Sequence, residues 1–393
     1  MKINGVESSE LLTAVVNGLY QKAANPDFNF PIQIKVIDSP EIAKAIFMAP
    51  DIFVKNYGFL ELLCRGRFSA NGADWKIRAA VTQSFFSQST ILLDETTIES
   101  IYQKHLQVYL KSSAPNLFQT FINAALEVIS RAFGLPKNIP CPADLVNRTR
   151  SVLIDQQAIA WFGATPELAE QCLLMSKSLF VEFEALWQSD PDMQKLLNRF
   201  TTQAKGHSGF NAVEELLQNV FAATESSSSS LLWTIECMTR HADLPFIISP
   251  ERHYPEMEIF LDEVLRLFTP VPYVTRVCTQ ATKIGDVAFA QGEAIVISIV
   301  GIHGNPQYWN QPLLFKPKRQ EFVDSSYPRH AYIPFISGAR ACAGMKLARQ
   351  EVKCGMRALL KTFSVKPSSE ARGLNYGLAS RPSNSLEPYL VAR

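Results

Sequence analysis

The chain has 393 residues, 47% of them hydrophobic, so it is long enough to bury a large core in one or more domains. A formal net charge of only +1 gives no indication of a nucleic-acid partner. The seven cysteines are widely separated and form no C-x-x-C pair, which argues against a disulfide framework or a zinc site and favours a reducing compartment.

Helical periodicity dominates the chain, and strand signals are few. Ile32–Ile37 alternates, Ile284–Val300 holds two β-rich runs around Gln291 and Gly292 as a hairpin would, and a further strand is predicted around Tyr389–Val391. The chain is therefore predicted to be mainly α with a small β-sheet and no internal repeat. Helices are predicted where apolar residues recur at three- and four-residue spacing: Glu41–Met48, Ala79–Phe86, Glu99–Leu110, Phe118–Phe133, Leu145–Phe162 and Ser176–Trp187.

A run of five serines, Ser226–Ser230, allows two interpretations. Low-complexity serine is typical of flexible linkers, which would divide the chain into two domains near residue 228. The flanking segments Val213–Ala223 and Leu231–Met238 are apolar and in helical register, which favours one continuous helix. Composition alone supports the two interpretations equally.

The stretch from Phe335 to Gly344 presents one cysteine in a setting suited to holding a metal. Its sequence is Phe-Ile-Ser-Gly-Ala-Arg-Ala-Cys-Ala-Gly, and its two glycines, Gly338 and Gly344, would let the backbone approach a flat ligand closely. Arg340 offers a fixed cation, and the residues after Gly344 are predicted to form a helix that begins behind the sulfur of Cys342. A helix N-terminus and a neighbouring arginine both favour a thiolate over a thiol.

This stretch resembles the haem-binding loop F-x-x-G-x-R-x-C-x-G of the cytochrome P-450 superfamily, with all five defining positions filled. The resemblance implies a helix-rich prism folded around haem b as a single domain over residues 1–393. Cys342 would be the axial ligand of the iron, Arg340 would contact a haem propionate, and Phe335, Gly338 and Gly344 would hold the loop against the cofactor. Because the chain shows no secretory signal and no apolar run long enough to cross a bilayer, we expect the soluble bacterial type, located in the cytoplasm without a membrane span.

The resemblance extends to a charged helix and the segments that follow it. Glu263 and Arg266 lie three residues apart on a predicted helix and can pair. Together with Arg319 they resemble the family's Glu–Arg–Arg triad, a buried charge network. Arg276 takes the place of an arginine that reaches a haem propionate, although a surface arginine on a strand is the alternative.

A segment near residue 75 resembles the helix that carries W-x-x-x-R, a further propionate contact. Trp75 fits this pattern, but position 79 is an alanine and the nearest arginine, Arg78, falls one residue early. A shift of one residue rotates a helical side chain by about 100°. Trp75 and Arg78 are therefore the expected cofactor contacts from this helix, with the departure at Ala79.

Residues 222–227 resemble the oxygen-activation motif A-G-x-D/E-T-T. Ala223 replaces the glycine and Ser226 replaces the threonine. The chemistry needs a hydroxyl and a carboxylate as a proton source, so Glu225 and Ser226 are the expected acid–alcohol pair. Serine keeps the hydroxyl but lacks the methyl group that fixes its rotamer. The resemblance favours the helical interpretation of the serine run, in which hydroxyls bond back to carbonyls four residues earlier.

The resemblance implies a haem-thiolate monooxygenase that activates dioxygen to hydroxylate an apolar small molecule, with electrons from a ferredoxin or flavodoxin-type donor. Lys346, Arg349 and Lys353 offer a basic face for that donor, although a solvated face is equally consistent. Two alternatives remain: a haem-thiolate isomerase, dehydratase or peroxide-using enzyme, which needs no proton relay, and a non-enzymatic haem-binding sensor. The expected substrate pocket, with core packing as the alternative role for its aromatic members, comprises Phe221, Ala222, Val271, Val274, Tyr57 and Leu60.

Overall fold

The structure, a computed structural model, describes residues 1–25, 27–30, 32–248, 256–370, 373–383 and 385–393. It is mainly helical with small sheets, as predicted. The helices are α1 Ser8–Ala24, α2 Pro40–Met48, α3 Gly58–Glu61, α4 Gly72–Leu92, α5 Glu95–Leu110, α6 Leu117–Ala132, α7 Ala143–Phe162, α8 Pro166–Ser189, α9 Pro191–Gln203, α10 Ala212–Arg240, α11 Pro245–Ile248, α12 Glu256–Leu267, α13 Ile299–His303, α14 Gln320–Val323 and α15 Met345–Thr362. The strands are β1 Lys2–Ile3, β2 Val6–Glu7, β3 Lys35–Ile37, β4 Phe53–Lys55, β5 Tyr273–Cys278, β6 Thr282–Ile284, β7 Val287–Phe289, β8 Ala294–Ser298, β9 Phe363–Val365, β10 Leu374–Tyr376, β11 Ser380–Pro382 and β12 Leu390–Ala392.

The helical predictions are confirmed, while one strand prediction is wrong. The six predicted segments lie in α2 and α4 to α8, with Phe133 just past the end of α6. The predicted hairpin around Gly292 does not form, because β7 pairs with β6 while β8 pairs with β3 and β5. Ile295, Val296 and Ile297 in β8 are fully buried, so this strand is drawn into the centre of a sheet rather than paired with its neighbour in sequence.

A four-stranded sheet in the order β3-β8-β5-β4 stands beside the cysteine loop. The pair β3–β8 is parallel and the other two pairs are antiparallel. In the register of β4 and β5, Lys55 lies directly opposite Arg276. Like charges directly opposite each other on neighbouring strands destabilise a sheet, so this register needs a compensating negative charge.

The central helix α10 runs without interruption through the serine run. It begins at an Asn211 cap, whose side-chain oxygen accepts from the backbone N–H groups of Val213 at 2.8 Å and Glu214 at 3.3 Å. Residues 226–230 lie in its middle, which excludes the linker interpretation. Helix α10 packs mainly against α6 and α15, so α15, the helix behind the cysteine, is anchored directly on the core.

In the part of the chain that the structure describes, no helix is both long enough and apolar enough to cross a membrane.

Candidate functional site

The cysteine loop is a tight turn that ends on α15. The backbone N–H of Cys342 donates to the carbonyl of Phe335 at 2.9 Å, and a 3-10 turn spans Gly338–Arg340. Gly338 has φ +75°, and a Cβ there would lie 2.7 Å from the carbonyl oxygen of Phe47. The loop therefore requires glycine at this position both for its conformation and for its contact with α2.

The thiol of Cys342 faces a space inside the fold. Its side chain is exposed, yet burial raises the pKa of the thiol above its ordinary value, with partial compensation from the Gly344 N–H and the positive charges of Arg67 and Lys55. A side chain that keeps free surface while it is shielded from bulk water lies against an internal space. The sequence indicated Arg340 as the cation that favours the thiolate, whereas the structure gives that role to Arg67 and Lys55, which come from distant parts of the chain.

Four cations lie together beside this loop: Lys55, Arg67, Arg276 and Arg340. Each of the other three lowers the pKa of Lys55, although burial of the amine lowers it most, and it falls well below its ordinary range. Among the described residues, none of the four makes an ion pair with a carboxylate within 4.0 Å. Grouping unpaired cations away from water is unfavourable, so the cluster indicates that an anionic ligand binds here.

Arg276 shows this lack of a carboxylate partner most directly. Only 2% of its surface is exposed, and its Nη1 donates to the carbonyl of Thr275 at 2.7 Å. Its Nη2 is buried and has no hydrogen-bond partner among the described residues. A buried guanidinium nitrogen without an acceptor is costly, and a carboxylate of a bound molecule would satisfy it.

Arg340 is stacked on Trp75, so two of the residues expected to contact the cofactor lie against each other. Its guanidinium carbon lies 3.9 Å from the centre of the Trp75 ring, and its Nη1 donates to the carbonyl of Ala70 at 3.1 Å. Burial and the neighbouring cations lower the pKa of Arg340 to about 10. The ring of Trp75 therefore fixes the position of one cation of the cluster.

Arg78 has a different role from the one expected. It is fully buried, and its guanidinium donates to Asp74 at 2.9 Å and to the carbonyls of Arg65 at 2.6 Å and Gly209 at 2.8 Å. It also pairs with the buried Glu215 of α10 at 3.4 Å. These contacts satisfy the guanidinium of Arg78 within the protein at the start of α10, so the structure gives it a structural role, and its expected propionate contact stays a prediction.

The three residues expected to form the Glu–Arg–Arg triad are in contact and buried. Glu263 accepts two hydrogen bonds from Arg266, at 2.7 and 2.9 Å, and one from Arg319 at 2.6 Å. The remaining guanidinium N–H groups donate to backbone carbonyls, those of His303 at 2.7 Å, Asn310 at 2.9 Å and Leu314 at 2.6 Å. All three charges are thus paired within the protein.

His303, for which the sequence carried no signal, connects this triad to the cysteine loop. The ring is buried, and burial lowers its pKa to about 3. Its Nδ1 lies 2.9 Å from the carbonyl oxygen of Arg266, and its Nε2 accepts from the backbone N–H of Ile333 at 2.9 Å. A neutral histidine therefore links the triad to the segment that leads into Phe335.

In the middle of α10, the expected acid–alcohol pair is not assembled. Ala222 is exposed and Ala223 and Ser226 are half-buried on a helix that is mostly buried, so this strip of α10 is accessible. The Ser226 hydroxyl donates to the carbonyl of Ala222 at 2.9 Å, the back-bonding expected for the serine run. Glu225 accepts from Arg150 at 2.6 Å, and its pKa is raised by burial, with Arg150 acting in the opposite direction.

A buried carboxylate on α15 was also missed. Glu351 accepts from the hydroxyls of Tyr102 at 2.9 Å and Ser227 at 2.7 Å. Burial raises its pKa to about 7, against the effect of the two donors. The neighbouring hydroxyls of Ser228 and Ser229 are buried without a partner among the described residues, so only part of the serine run is satisfied by the fold.

The residues expected to line the substrate pocket divide into two groups. Ala222 is exposed, and Tyr57, Leu60 and Val271 are half-buried. In contrast, Phe221 and Val274 are buried and belong to hydrophobic clusters of the core. The structure therefore gives the last two a packing role.

The basic face expected on α15 is largely neutralised. Arg349 pairs with Asp262 at 2.6 Å, and Lys353 pairs with Glu95 at 2.8 Å and with Glu258 at 2.9 Å. Lys346 is exposed. The structure thus removes most of the positive charge on which the expectation of an acidic partner depended.

A cysteine loop beside cations without carboxylate partners is suited to an anionic, metal-containing cofactor, and comparison with known proteins shows which family the chain resembles. Residues 251–382 match the family model described as Cytochrome P-450. The probable cytochrome P-450 4p3 of Drosophila melanogaster is 38% identical over 142 residues, 35% of this chain and 27% of that protein. Human cytochrome P-450 3A5 is 27% identical over 189 residues, 43% of this chain and 38% of that protein. The chain spans about a quarter to two fifths of the length of the curated relatives it matches.

Solved structures extend the likeness of the fold to nearly the whole chain. The retinoic acid-bound cyanobacterial CYP120A1 superimposes with a TM-score of 0.75 at 19% identity, covering 96% of each chain. A 6-coordinated cytochrome P-450 from Thermus thermophilus gives a TM-score of 0.72 at 20% identity, covering 97% of this chain and 98% of that one. Residues 251–382 therefore resemble the cytochrome P-450 family in sequence, and nearly the whole chain shares the cytochrome P-450 fold.

Cytochromes P-450 bind haem b, and three features of this chain fit that cofactor. The thiol of Cys342 faces an internal space. Arg276 has a buried nitrogen without an acceptor, suited to a propionate. Four cations lie together without a paired carboxylate among the described residues, suited to a cofactor that carries two carboxylates.

Proposed function

We propose that this chain is a haem-thiolate monooxygenase that hydroxylates an apolar small molecule. The observation that carries the proposal is Arg276, which is buried without a carboxylate partner, beside a loop whose Cys342 thiol faces an internal space. We also propose that residues 1–393 form a single haem-binding domain. When bound, haem b with a thiolate ligand supplies the chemistry of dioxygen activation, because the sulfur donates electron density that favours O–O cleavage.

The residues around the loop have distinct roles in holding the cofactor. Cys342 would supply the sulfur ligand, with its backbone held by the carbonyl of Phe335. Arg276 and Arg340 would each bind a propionate through charge-assisted hydrogen bonds. Trp75 keeps Arg340 in place through its 3.9 Å stacking contact, so this part of the site is formed before the cofactor binds.

Proton transfer would involve side chains of α10. Ser226 carries the hydroxyl on the accessible strip of α10, and rotation of its side chain would free it from the Ala222 carbonyl. Glu225 is the acid nearest to it in sequence, and its carboxylate must leave Arg150 before it can serve that hydroxyl. Proton delivery in this chain thus depends on opening an ion pair that is only 13% exposed at the arginine and 8% at the glutamate.

An apolar substrate agrees with the expected pocket residues that retain exposed surface. Ala222, Tyr57, Leu60 and Val271 present methyl groups, a phenol ring and aliphatic chains rather than charges. Such a lining excludes water and orients a ligand by shape. Electrons would come from a ferredoxin or flavodoxin-type donor, and the neutralised face of α15 favours recognition by shape and hydrogen bonding over a strong attraction between opposite charges.

The spectrum of the reduced protein under carbon monoxide tests the proposal. Thiolate ligation places the main absorption band at longer wavelength than histidine ligation does. We expect this red-shifted band in the wild type, its loss in Cys342→Ala and a band at the ordinary position in Cys342→His. Cys354→Ala, at a buried cysteine of α15, is the matched control and should keep the band. A protein that takes up no haem, or a Cys342→Ala variant with an unchanged band, would show the proposal to be wrong.

One observation favours a second function, a haem-thiolate isomerase, dehydratase or peroxide-using enzyme. Both members of the expected proton relay are hydrogen-bonded elsewhere, Ser226 to Ala222 and Glu225 to Arg150. If the relay operates, Ser226→Ala should release more peroxide per product formed, and Ser226→Thr should couple as well as the wild type or better. Unchanged coupling in Ser226→Ala, together with turnover without an electron donor, would favour the second function.

A further inference from the structure

The helix that carries Trp75 lacks a cation at the place where one would face the cysteine loop. Trp75, Ala79, Thr82 and Phe86 are spaced by four, three and four residues, so they share one face of α4. Trp75 lies beneath Arg340 at one end of this face. At the other end, a Cβ on Gly344 would lie 3.5 Å from the ring of Phe86. The face therefore runs along the cysteine loop, with alanine at its second position.

The guanidinium of Arg67 lies on this face. Its Nη1 donates to the hydroxyl of Thr82 at 3.1 Å and to the carbonyl of Ala79 at 3.4 Å, and its Nη2 donates to Gln83 at 3.1 Å. Arg67 belongs to the loop before α4. Its guanidinium therefore lies beside Ala79 without being part of the helix, where a longer side chain at position 79 could otherwise carry a cation. Arg67 also touches the cation cluster directly, because its backbone carbonyl accepts from the Nζ of Lys55 at 3.4 Å.

The backbone at Arg67 is held by α10, which fixes where the side chain starts. The N–H of Arg67 donates to Glu215 at 2.9 Å, and the N–H groups of Phe68 and Ser69 donate to Gln218 at 2.7 and 3.1 Å. A Cβ at the preceding Gly66 would lie 2.6 Å from the Oε1 atom of Gln218. Two buried side chains of the central helix thus hold this turn before any ligand binds.

We propose that Arg67 supplies, from the loop before α4, the haem-site cation that the helix lacks at Ala79. This inference rests on the proposed binding of haem at Cys342. The cation stabilises the bound haem because the propionates of the haem and the thiolate of Cys342 are negative. Arg67 therefore acts as a positioning residue for the haem. Its backbone contacts to Glu215 do not involve the side chain, so replacing the side chain leaves the turn itself intact.

The test measures haem loss to apomyoglobin and the reduction potential of the purified holoprotein. In Arg67→Ala we expect haem loss faster by on the order of tenfold, the typical effect of one charge-assisted contact, and a lower potential because a positive charge near the iron is removed. Arg67→Lys should stay within about threefold of the wild type, because the charge is kept. The double variant Arg67→Ala with Ala79→Arg should regain most of the haem retention and of the potential.

Arg65→Ala is the matched control, since this arginine lies in the same loop but pairs with Asp74 at 2.9 Å and is 48% exposed. It should lose haem at the wild-type rate. Unchanged haem loss in Arg67→Ala would overturn the proposal. The proposal would also be overturned if Arg67→Lys lost haem as fast as Arg67→Ala and if Ala79→Arg did not slow the loss. That result would mean that Arg67 acts only through its hydrogen bonds within the protein. A wild type that takes up no haem would instead refute the proposed function, which the carbon monoxide spectrum reports separately.

Discussion

Two groups of buried arginines in this molecule differ in how their charge is balanced. Arg266 and Arg319 share the carboxylate of Glu263, and their remaining N–H groups donate to backbone carbonyls. Arg276 and Arg340, beside the cysteine loop, have no paired carboxylate within 4.0 Å among the described residues, and Arg276 keeps a buried nitrogen without an acceptor. Both groups are buried, so burial alone does not distinguish them.

The balance of charge does distinguish them. A buried network that satisfies every charge internally is part of the architecture, and removing one member leaves the others uncompensated. A buried group with surplus positive charge is unfavourable by itself and becomes favourable when an anion binds. Mutations should therefore affect folding in the first group and ligand retention in the second.

The largest effect is expected from Glu263→Gln, which leaves Arg266 and Arg319 without their shared counter-charge. We expect a loss of about 3–5 kcal/mol in the free energy of unfolding, because two buried guanidinium groups lose their partner. Chemical denaturation of the haem-free protein measures it. Glu258 lies on the same helix as Glu263, is 49% exposed and pairs with Lys353 of α15, so Glu258→Gln should cost no more than about 1 kcal/mol. If Glu263→Gln and Glu258→Gln were equally stable, the triad arginines would not depend on Glu263, and charge balance would not separate the two groups of arginines.

Arg276→Met should show the opposite behaviour. In the haem-free protein we expect the free energy of unfolding to fall by no more than about 1 kcal/mol, or to rise, because the substitution removes an unsatisfied cation from a positively charged cluster. With haem bound, the lost charge-assisted contact should cost about 1.5–3 kcal/mol, seen as haem loss faster by roughly ten- to a hundredfold. If the haem-free variant instead unfolds as easily as Glu263→Gln, Arg276 is architectural and the cluster is not a ligand site.

Glu351 offers a smaller test, since this buried carboxylate has hydroxyl donors but no cation. Its pKa is about 7 in the fold against 4.5 for a free glutamate. Between these values the folded state binds more protons than the unfolded state, so stability is full below about pH 4.5 and falls as the pH rises through 7. From pH 5 to 7 we expect Glu351 to account for a loss of about 2 kcal/mol.

Unfolding curves of Glu351→Gln at several pH values measure this contribution. Its stability should fall less steeply with pH than that of the wild type, and the slope that remains should include Glu215, whose pKa burial also raises to about 7. Identical slopes in the two proteins would mean that Glu351 is charged in the folded state throughout, as a member of the paired group would be.

Local pattern was sufficient for much of the fold. Apolar periodicity located α2 and α4 to α8, and the three-residue spacing of Glu263 and Arg266 predicted a pair on one helix face. The hairpin around Gly292 failed because β8 pairs with strands that are distant in sequence, which no local alternation can reveal. The serine run was ambiguous in composition, and packing of α10 against α6 and α15 decided it.

The same limit applied within the site. Arg78 was expected at the cofactor, and only the structure shows that its guanidinium pairs with Asp74 and Glu215. Lys55 and Arg67 carried no recognisable pattern, and only the register of β4 with β5 and the contacts of the loop with α10 bring them to the cysteine.

The sequence by itself determined the helical periodicity, the glycine-containing turn around Cys342 and the spacing of the triad helix, because these depend on residues within a few positions of each other. Only the tertiary structure decided which charges are balanced. Electrostatic balance depends on distances between atoms that can be more than two hundred residues apart, as Lys55 and Arg276 are, and on the removal of water from around them. For that reason the fold, and not the motif alone, separates the arginines that hold the protein together from those we assign to a ligand.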